Sequence, residues 1–239
     1  MHIPDGYLGP HTYIAFWLIM IPIWYYAGTK LTAELKSRQV PLLALAAAFS
    51  FVIMMFNVPI PGGSTGHAVG GGIISIVIGP WASLIAISVT LVLQALIFGD
   101  GGITAIATNC FNMGVVVSFV AYYTYKSISG NSAITSSTRI IAAGVAGWLS
   151  LTLASLCAGF ELGIQPILEH TAEGVPLYMP YSLNVTIPAM VLEHVFAFSI
   201  LEAVITAIIF AYIQRTDTSV FYGEKSEVEM DKIKREVIA

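Results

Sequence analysis

Apolar residues fall in seven blocks along the chain, at about 10–28, 41–57, 67–79, 81–98, 107–125, 140–163 and 185–213. Polar, Gly- and Pro-containing stretches separate them. Most blocks approach the ~20 residues that a helix needs to cross a bilayer, so the pattern predicts membrane helices rather than strands. The third block is the odd one. Thirteen residues at ~1.5 Å each reach only ~20 Å, against a hydrocarbon core of ~30 Å. It follows Pro59-Ile60-Pro61-Gly62-Gly63-Ser64-Thr65-Gly66. That sequence predicts a loop that dips into the protein before a short helix opens at His67. Irregular backbone at membrane depth is tolerated only where protein buries it or it lines a cavity. Short segments interrupted by Gly and Pro point to the binding site in transporters.

Composition agrees with a membrane protein. The chain is 56% hydrophobic and 10% charged with a mean hydropathy of +0.81, where a soluble domain carries about 25% charged residues. Charge then sets topology. The ten basic residues form three groups: Lys30, Lys36 and Arg38; Lys126 and Arg139; Arg215, Lys225, Lys232, Lys234 and Arg235. The positive-inside rule puts all three groups in the cytoplasm. An even number of crossings must then separate the first two, so the short third block counts as a span. The expectation is an all-α integral membrane protein of the plasma membrane, a seven-span helical bundle with the N-terminus outside and the C-terminus cytoplasmic. Residues 1–213 form one transmembrane domain and 214–239 a charged cytoplasmic tail. The outer segments carry Asp5, Asp100, Glu169 and Glu173, with Glu161 and Glu193 near the boundary, and no Lys or Arg. Such a face attracts cations, although the positive-inside rule alone would empty it of basic residues.

Several function classes drop out. No GxxxxGK[ST] stretch is present, so no nucleotide is expected on this chain, and there is no HExxH; Glu193-His194 is not that motif. No nucleophile, base and orienting acid share a motif, so no enzyme is expected. Nothing points to nucleic acid. Cys110 and Cys157 lie far apart in apolar stretches and read as buried thiols.

The chemistry is concentrated at the start. MHIPDGYL has neither a basic n-region nor a cleavage site and is expected to be retained, with Met1 protected from removal by the bulky second residue. The α-amine of Met1, the backbone nitrogen of His2 and its ring Nδ1 can grip one metal through fused five- and six-membered rings. That leaves one corner of a square open. Ni(II) or Cu(II), and less readily Co(II), can displace an amide proton in this way. His67, following a Gly-rich loop, is the candidate for the fourth nitrogen; a helix N-terminus there would keep its imidazole neutral. Pro4-Asp5-Gly6 reads as a turn that folds the first residues back into the bundle, with Asp5 holding the turn or orienting His2. The loop Phe98-Gly99-Asp100-Gly101-Gly102 faces the same side. Asp100, Gln94, Asn109 and Asn112 are expected to support the ligands by hydrogen bonds. His11 belongs at the membrane interface, His170 in a loop and His194 inside the last span.

Two further features stand apart. Glu161, Glu193 and Glu202 are acids at or near membrane depth; they can relay protons, pair locally or, for Glu202, face a partner subunit. Ala44 and Ala48, with Ala46 and Ser50 one ridge over, give a small-residue face suited to close helix packing.

MHIPDGYL, the Gly-Gly-Ser-Thr-Gly-His67 loop, and Gln94-Ala-Leu-Ile-Phe-Gly-Asp-Gly-Gly-Ile followed by Asn109-Cys-Phe-Asn-Met-Gly114 resemble the NikM/CbiM group. These are substrate-binding S components of energy-coupling factor (ECF) transporters for nickel and cobalt, which are linked to cobalamin biosynthesis. The specific motifs cover roughly residues 1–125. The resemblance implies a seven-span bundle whose N-terminus inserts from outside. It implies Ni(II) or Co(II) as transported substrate, held by the Met1 amine, the His2 amide and ring nitrogens and His67. It further implies a transmembrane coupling subunit and two cytoplasmic ATPases, with room for a small extra membrane subunit, and toppling of this chain in the bilayer. Ala44 and Ala48 become candidates for contact with the coupling subunit. The competing reading from residues alone is a self-sufficient secondary transporter or channel for divalent cations, coupled through the three glutamates.

Overall fold

Each apolar block contains one helix. In the computed structural model, which describes residues 1–34 and 40–222, these are α1 (Pro10–Glu34), α2 (Val40–Met54), α3 (Gly71–Ile78), α4 (Pro80–Phe98), α5 (Ile106–Ser129), α6 (Ser137–Leu168) and α7 (Leu183–Thr216). Lys36, Arg38, Lys225, Lys232, Lys234 and Arg235, with the tail from 223 onward, lie outside the described residues. Among the described residues five helices are long and apolar enough to cross a membrane: α1, α4, α5, α6 and α7. Helices α1, α5, α6 and α7 outrun the blocks that predict them, as at 107–125 against Ile106–Ser129, because hydropathy marks only the apolar middle of a helix.

Contacts along neighbouring pairs fix the directions. Trp24 and Lys30 of α1 meet Ser88 and Trp81 of α4, so these two run antiparallel. Asn112 and Tyr125 of α5 meet Glu161 and Arg139 of α6. Thr152 and Gly159 of α6 meet Ser199 and Thr186 of α7. One end of the bundle therefore gathers residues 1–9, 55–66, 99–105 and 169–182. The opposite end gathers Gly79, 130–136 and 217–222.

The third segment is corrected in one respect. His67 does not open a helix: α3 begins at Gly71, and eight residues reach only ~12 Å. Residues 58–70 precede it in irregular form, with Val58–Pro59 and Thr65–Gly66 pairing as a small antiparallel ribbon. What allows this at depth is a partner for the backbone. The Glu202 carboxylate, fully buried on α7, accepts from Val69 N (2.8 Å), Gly70 N (2.8 Å) and Gly72 N (3.0 Å). It caps the start of α3, whose dipole favours a negative charge there. Glu202 thus faces the interior of this chain. Gly72 packs so closely on Gly147 and Thr206 that any side chain there would collide. At the far end Gly79, at φ 85°, turns the chain directly into Pro80 at the first position of α4.

The chain keeps packing past residue 213. Gln214 donates to the Ser136 carbonyl (3.1 Å), and Phe221 stacks on Phe210 with ring centres 4.6 Å apart. Phe210, Phe221, Tyr125 and α3 form one apolar cluster; Met1, Ile3, Leu8 and their neighbours form another at the opposite end.

Candidate metal site at the N-terminus

The first three residues are inside the protein. Met1 and Ile3 have no exposed surface and His2 has 2%. The turn at Pro4-Asp5-Gly6 makes this possible, with Gly6 at φ 83°. Asp5 accepts from Ile103 N and Thr104 N (both 2.9 Å) and from the Thr104 hydroxyl (2.5 Å). Burial pulls the Asp5 carboxyl up, but the Thr104 hydroxyl and the two amides outweigh it and leave it below the usual carboxylate range. Ile3 is clamped to α5 and to the loop after α4. Its N–H donates to Asn109 Oδ1 (2.9 Å), and its carbonyl accepts from Asn109 Nδ2 (3.2 Å) and Gly102 N (2.9 Å). Asp5 therefore holds the turn, and Asn109 sets the depth of insertion.

The two main-chain nitrogens then lie against the ribbon. The Met1 amine donates to the Thr65 carbonyl and to Thr65 Oγ1 (3.0 Å), and His2 N–H donates to the same hydroxyl (3.1 Å). Ser64 Oγ donates to the His2 carbonyl (2.7 Å). The His2 and His67 rings stack with centres 4.6 Å apart.

Hydrogen bonds fix which ring nitrogens are bare. Gln94 Oε1 lies 3.1 Å from His2 Nε2, so an amide carbonyl takes that proton and Nδ1 keeps its lone pair. Nδ1 sits 3.3 Å from Asp100 Oδ1 without hydrogen-bond geometry. His67 Nδ1 donates to the Ala68 carbonyl (3.0 Å), leaving Nε2 bare, buried and unpartnered. Burial lowers the Met1 amine well below its ordinary value, partly opposed by Asp100. Burial and then the amine charge push His2 down to about 3. Neutral amine and neutral imidazole are the ligating forms. Burial raises the Asp100 carboxyl, while the amine and the Asn57 amide, 2.9 Å away, hold it back.

Leaving a buried polar atom unpaired costs about 1–3 kcal/mol. Among the described residues seven buried side-chain atoms are left so, and three of them are imidazole nitrogens: His2 Nδ1, His67 Nε2 and His194 Nε2, whose Nδ1 donates to the Met190 carbonyl (2.7 Å). Among the described residues no three side chains of His, Cys, Asp or Glu form a metal-holding group. A metal site here would have to draw on main-chain nitrogens as well as side chains.

Of the residues singled out from sequence, the fold gathers Met1, His2, Asp5, His67, Gln94, Asp100 and Asn109. Asn112 is elsewhere, donating to Glu161 Oε2 (2.6 Å). Glu193 is exposed, as are Ala44 and Ala48 on the outer face of α2, while Ala46 and Ser50 are buried. His11 pairs with Glu169 (2.7 Å) at the start of α1, and His170 is an exposed loop residue. Sequence reasoning missed the part played by Ser64, Thr65 and Met190. It also missed three π turns, at Gln94–Phe98, Cys110–Val116 and His194–Phe198. Such turns insert a residue into a helix and recur at functional sites; here they place Gln94 and His194 and follow directly on Asn109.

The family model that describes the cobalt uptake substrate-specific transmembrane region, CbiM, matches residues 2–220. The chain belongs to the CbiM family. It is 49% identical over 217 residues to the fused nickel transport protein NikMN of Rhodobacter capsulatus, across 91% of this chain and 62% of that relative. The chain thus spans about 62% of the length of that fused protein. A crystal structure of a transition metal transporter matches with a TM-score of 0.88 and 40% identity over 100% of both chains. A truncated transition metal transporter matches with a TM-score of 0.87 and 42% identity over 90% of this chain and 99% of that one. CbiM proteins are a transport family, not enzymes.

Proposed function

We propose that this CbiM-family chain is the substrate-binding membrane subunit of an ECF-type, ATP-driven importer for Ni(II) or Co(II). It captures the metal in a square of four nitrogens: the Met1 amine, the His2 amide, His2 Nδ1 and His67 Nε2. The observation that carries this reading is the convergence of a buried N-terminal amine with two imidazoles whose bare nitrogens have no hydrogen-bond partner. Gln94 and the Ala68 carbonyl set the tautomers, while Asn109 and Asp5 set the depth and angle of the inserted segment. Nickel is the first choice, since low-spin d⁸ Ni(II) suits a planar set with an ionised amide.

The fold supports the topology that the reading requires. With residues 58–70 counted with α3, seven traverses alternate, the end bearing Met1 faces outside and the end bearing residues 217–222 faces the cytoplasm. ATP hydrolysis falls to two cytoplasmic ATPases acting through a coupling subunit, for which the exposed Ala44 and Ala48 offer a close-packing face. The self-sufficient channel or secondary transporter is the weaker reading, because its three acids are otherwise disposed: Glu202 caps α3, Glu161 is bonded to Asn112, and Glu193 faces outward.

The test is Ni(II) titration of protein with a native Met1 against a copy extended by one residue, followed by visible absorption. A yellow planar band in the native protein alone is expected. Equal binding by both would overturn the chelate.

A further inference from the structure

The four corners of the proposed square leave one buried imidazole unused. His194 has no exposed surface, and its Nδ1 proton is committed to the Met190 carbonyl at 2.7 Å, so its bare nitrogen is Nε2. That nitrogen is buried and unpartnered. Its neighbours on α7 locate it. Met190 Sδ accepts from Ser64 N at 3.4 Å, and Phe198, packed on the His194 ring at 5.3 Å, lies directly over Gly66. His194 stands between them on the π turn and so faces the stretch at Thr65, against which the Met1 amine and His2 N–H are hydrogen-bonded.

We infer that His194 Nε2 is a fifth, apical nitrogen donor that this site offers to Co(II), making His194 a determinant of which metal the protein holds. The inference rests on the four-nitrogen reading above. Low-spin d⁸ Ni(II) fills a planar field and gains little from an apical base. Low-spin d⁷ Co(II) carries its unpaired electron in the orbital that points along the apical axis, and a nitrogen there stabilises it. Among the described residues, the three rings do not already form a ligand cluster of their own. In this inference His194 is no corner of the square but a reserve donor, drawn into reach only by a metal with an apical position to fill. Among the described residues it is the buried imidazole that the planar site does not use.

The experiment is low-temperature electron paramagnetic resonance of the purified full chain loaded with Co(II) without oxygen. It is paired with Co(II) and Ni(II) titrations of native protein, His194→Phe and His194→Met. The native Co(II) spectrum is expected to show a triplet splitting on its parallel lines, from one apical ¹⁴N, that becomes a doublet with ¹⁵N-labelled histidine. Both substitutions fill the space without a nitrogen, and both should abolish the splitting. They should also lower the ratio of Co(II) to Ni(II) affinity by at least about tenfold. The yellow Ni(II) band reports that each variant has kept its fold. The inference is overturned if native protein shows no apical splitting, if the splitting survives in both variants, or if the two affinities fall together. Native protein that takes up neither metal would overturn the four-nitrogen site and this inference with it.

Discussion

Residues 1–9 and residues 217–222 are both short segments outside the seven helices, and both fold back onto the bundle, but by different means. The N-terminal segment is held by directional bonds: Ile3 to both ends of the Asn109 amide, Asp5 to three donors at residues 103–104, and Gly9 N to Gln165 Oε1 at 2.9 Å. The C-terminal segment is held by rings. Phe221 stacks on Phe210, Tyr222 packs on Tyr122 at 5.8 Å, and one backbone bond joins Tyr222 N to the Ile76 carbonyl at 3.3 Å. Apolar contact anchors a segment while tolerating small rotations; a set of crossed hydrogen bonds fixes where each atom points. A chelate needs the second kind of support, because two of its nitrogens belong to the main chain and cannot be re-aimed by a change of rotamer.

This difference predicts a ranking of effects on Ni(II) affinity. Extending the chain by one residue before Met1 should weaken binding by more than ~100-fold, since it removes the terminal amine as well as its supporting geometry. Isothermal titration on the two proteins checks it, and retention of affinity would show that the directional end is no more demanding than the apolar one. Asn109→Leu removes both bonds to Ile3 but leaves every ligand; a loss of roughly 10–100-fold is expected. Lowering the pH should cost about tenfold per unit between about pH 8 and pH 5. The sign follows from the groups. Burial holds the amine and the His2 ring low, which favours their bare forms, so the amide proton is the main one that the metal must displace. Affinity falls as protons become more abundant. A flat profile would exclude amide ligation, and a slope near three protons would mean that amine and ring still carry theirs. Phe221→Ala should alter affinity by no more than about threefold while lowering stability by about 3–5 kcal/mol, read as an earlier thermal transition. A large loss of affinity in that variant would break the contrast.

The same contrast explains what the sequence could reveal. The seven blocks, the inserted start and the special character of the third segment were legible because lipid demands long apolar runs and because Pro-Gly clusters exclude regular helix. His2 stood out as the neighbour of the Met1 amine, and His67 as a polar residue after a Gly-rich loop. Contacts between residues far apart in the chain were not legible. Glu202 looks like any intramembrane acid until its three backbone partners are seen, and Asn112 is indistinguishable from Asn109 by type and setting, yet the π turn beginning at Cys110 sends it to Glu161. His194 was hidden for a related reason: a π turn shifts the helical register, so its facing cannot be counted from a 3.6-residue period.

The cap on α3 also bears on how the protein is assembled. Val69, Gly70 and Gly72 find the partner for their N–H groups at Glu202, 133, 132 and 130 residues later in the chain. While the ribosome has yet to deliver α7, those groups have no acceptor in a bilayer interior, where each unpaired one costs several kcal/mol. The third traverse therefore has to wait, outside the lipid or under the care of the insertion machinery, until the last helix arrives. Completion of the His67 loop and arrival of α7 become nearly the same event, so that a chain released before α7 lacks the carboxylate that holds this loop in place.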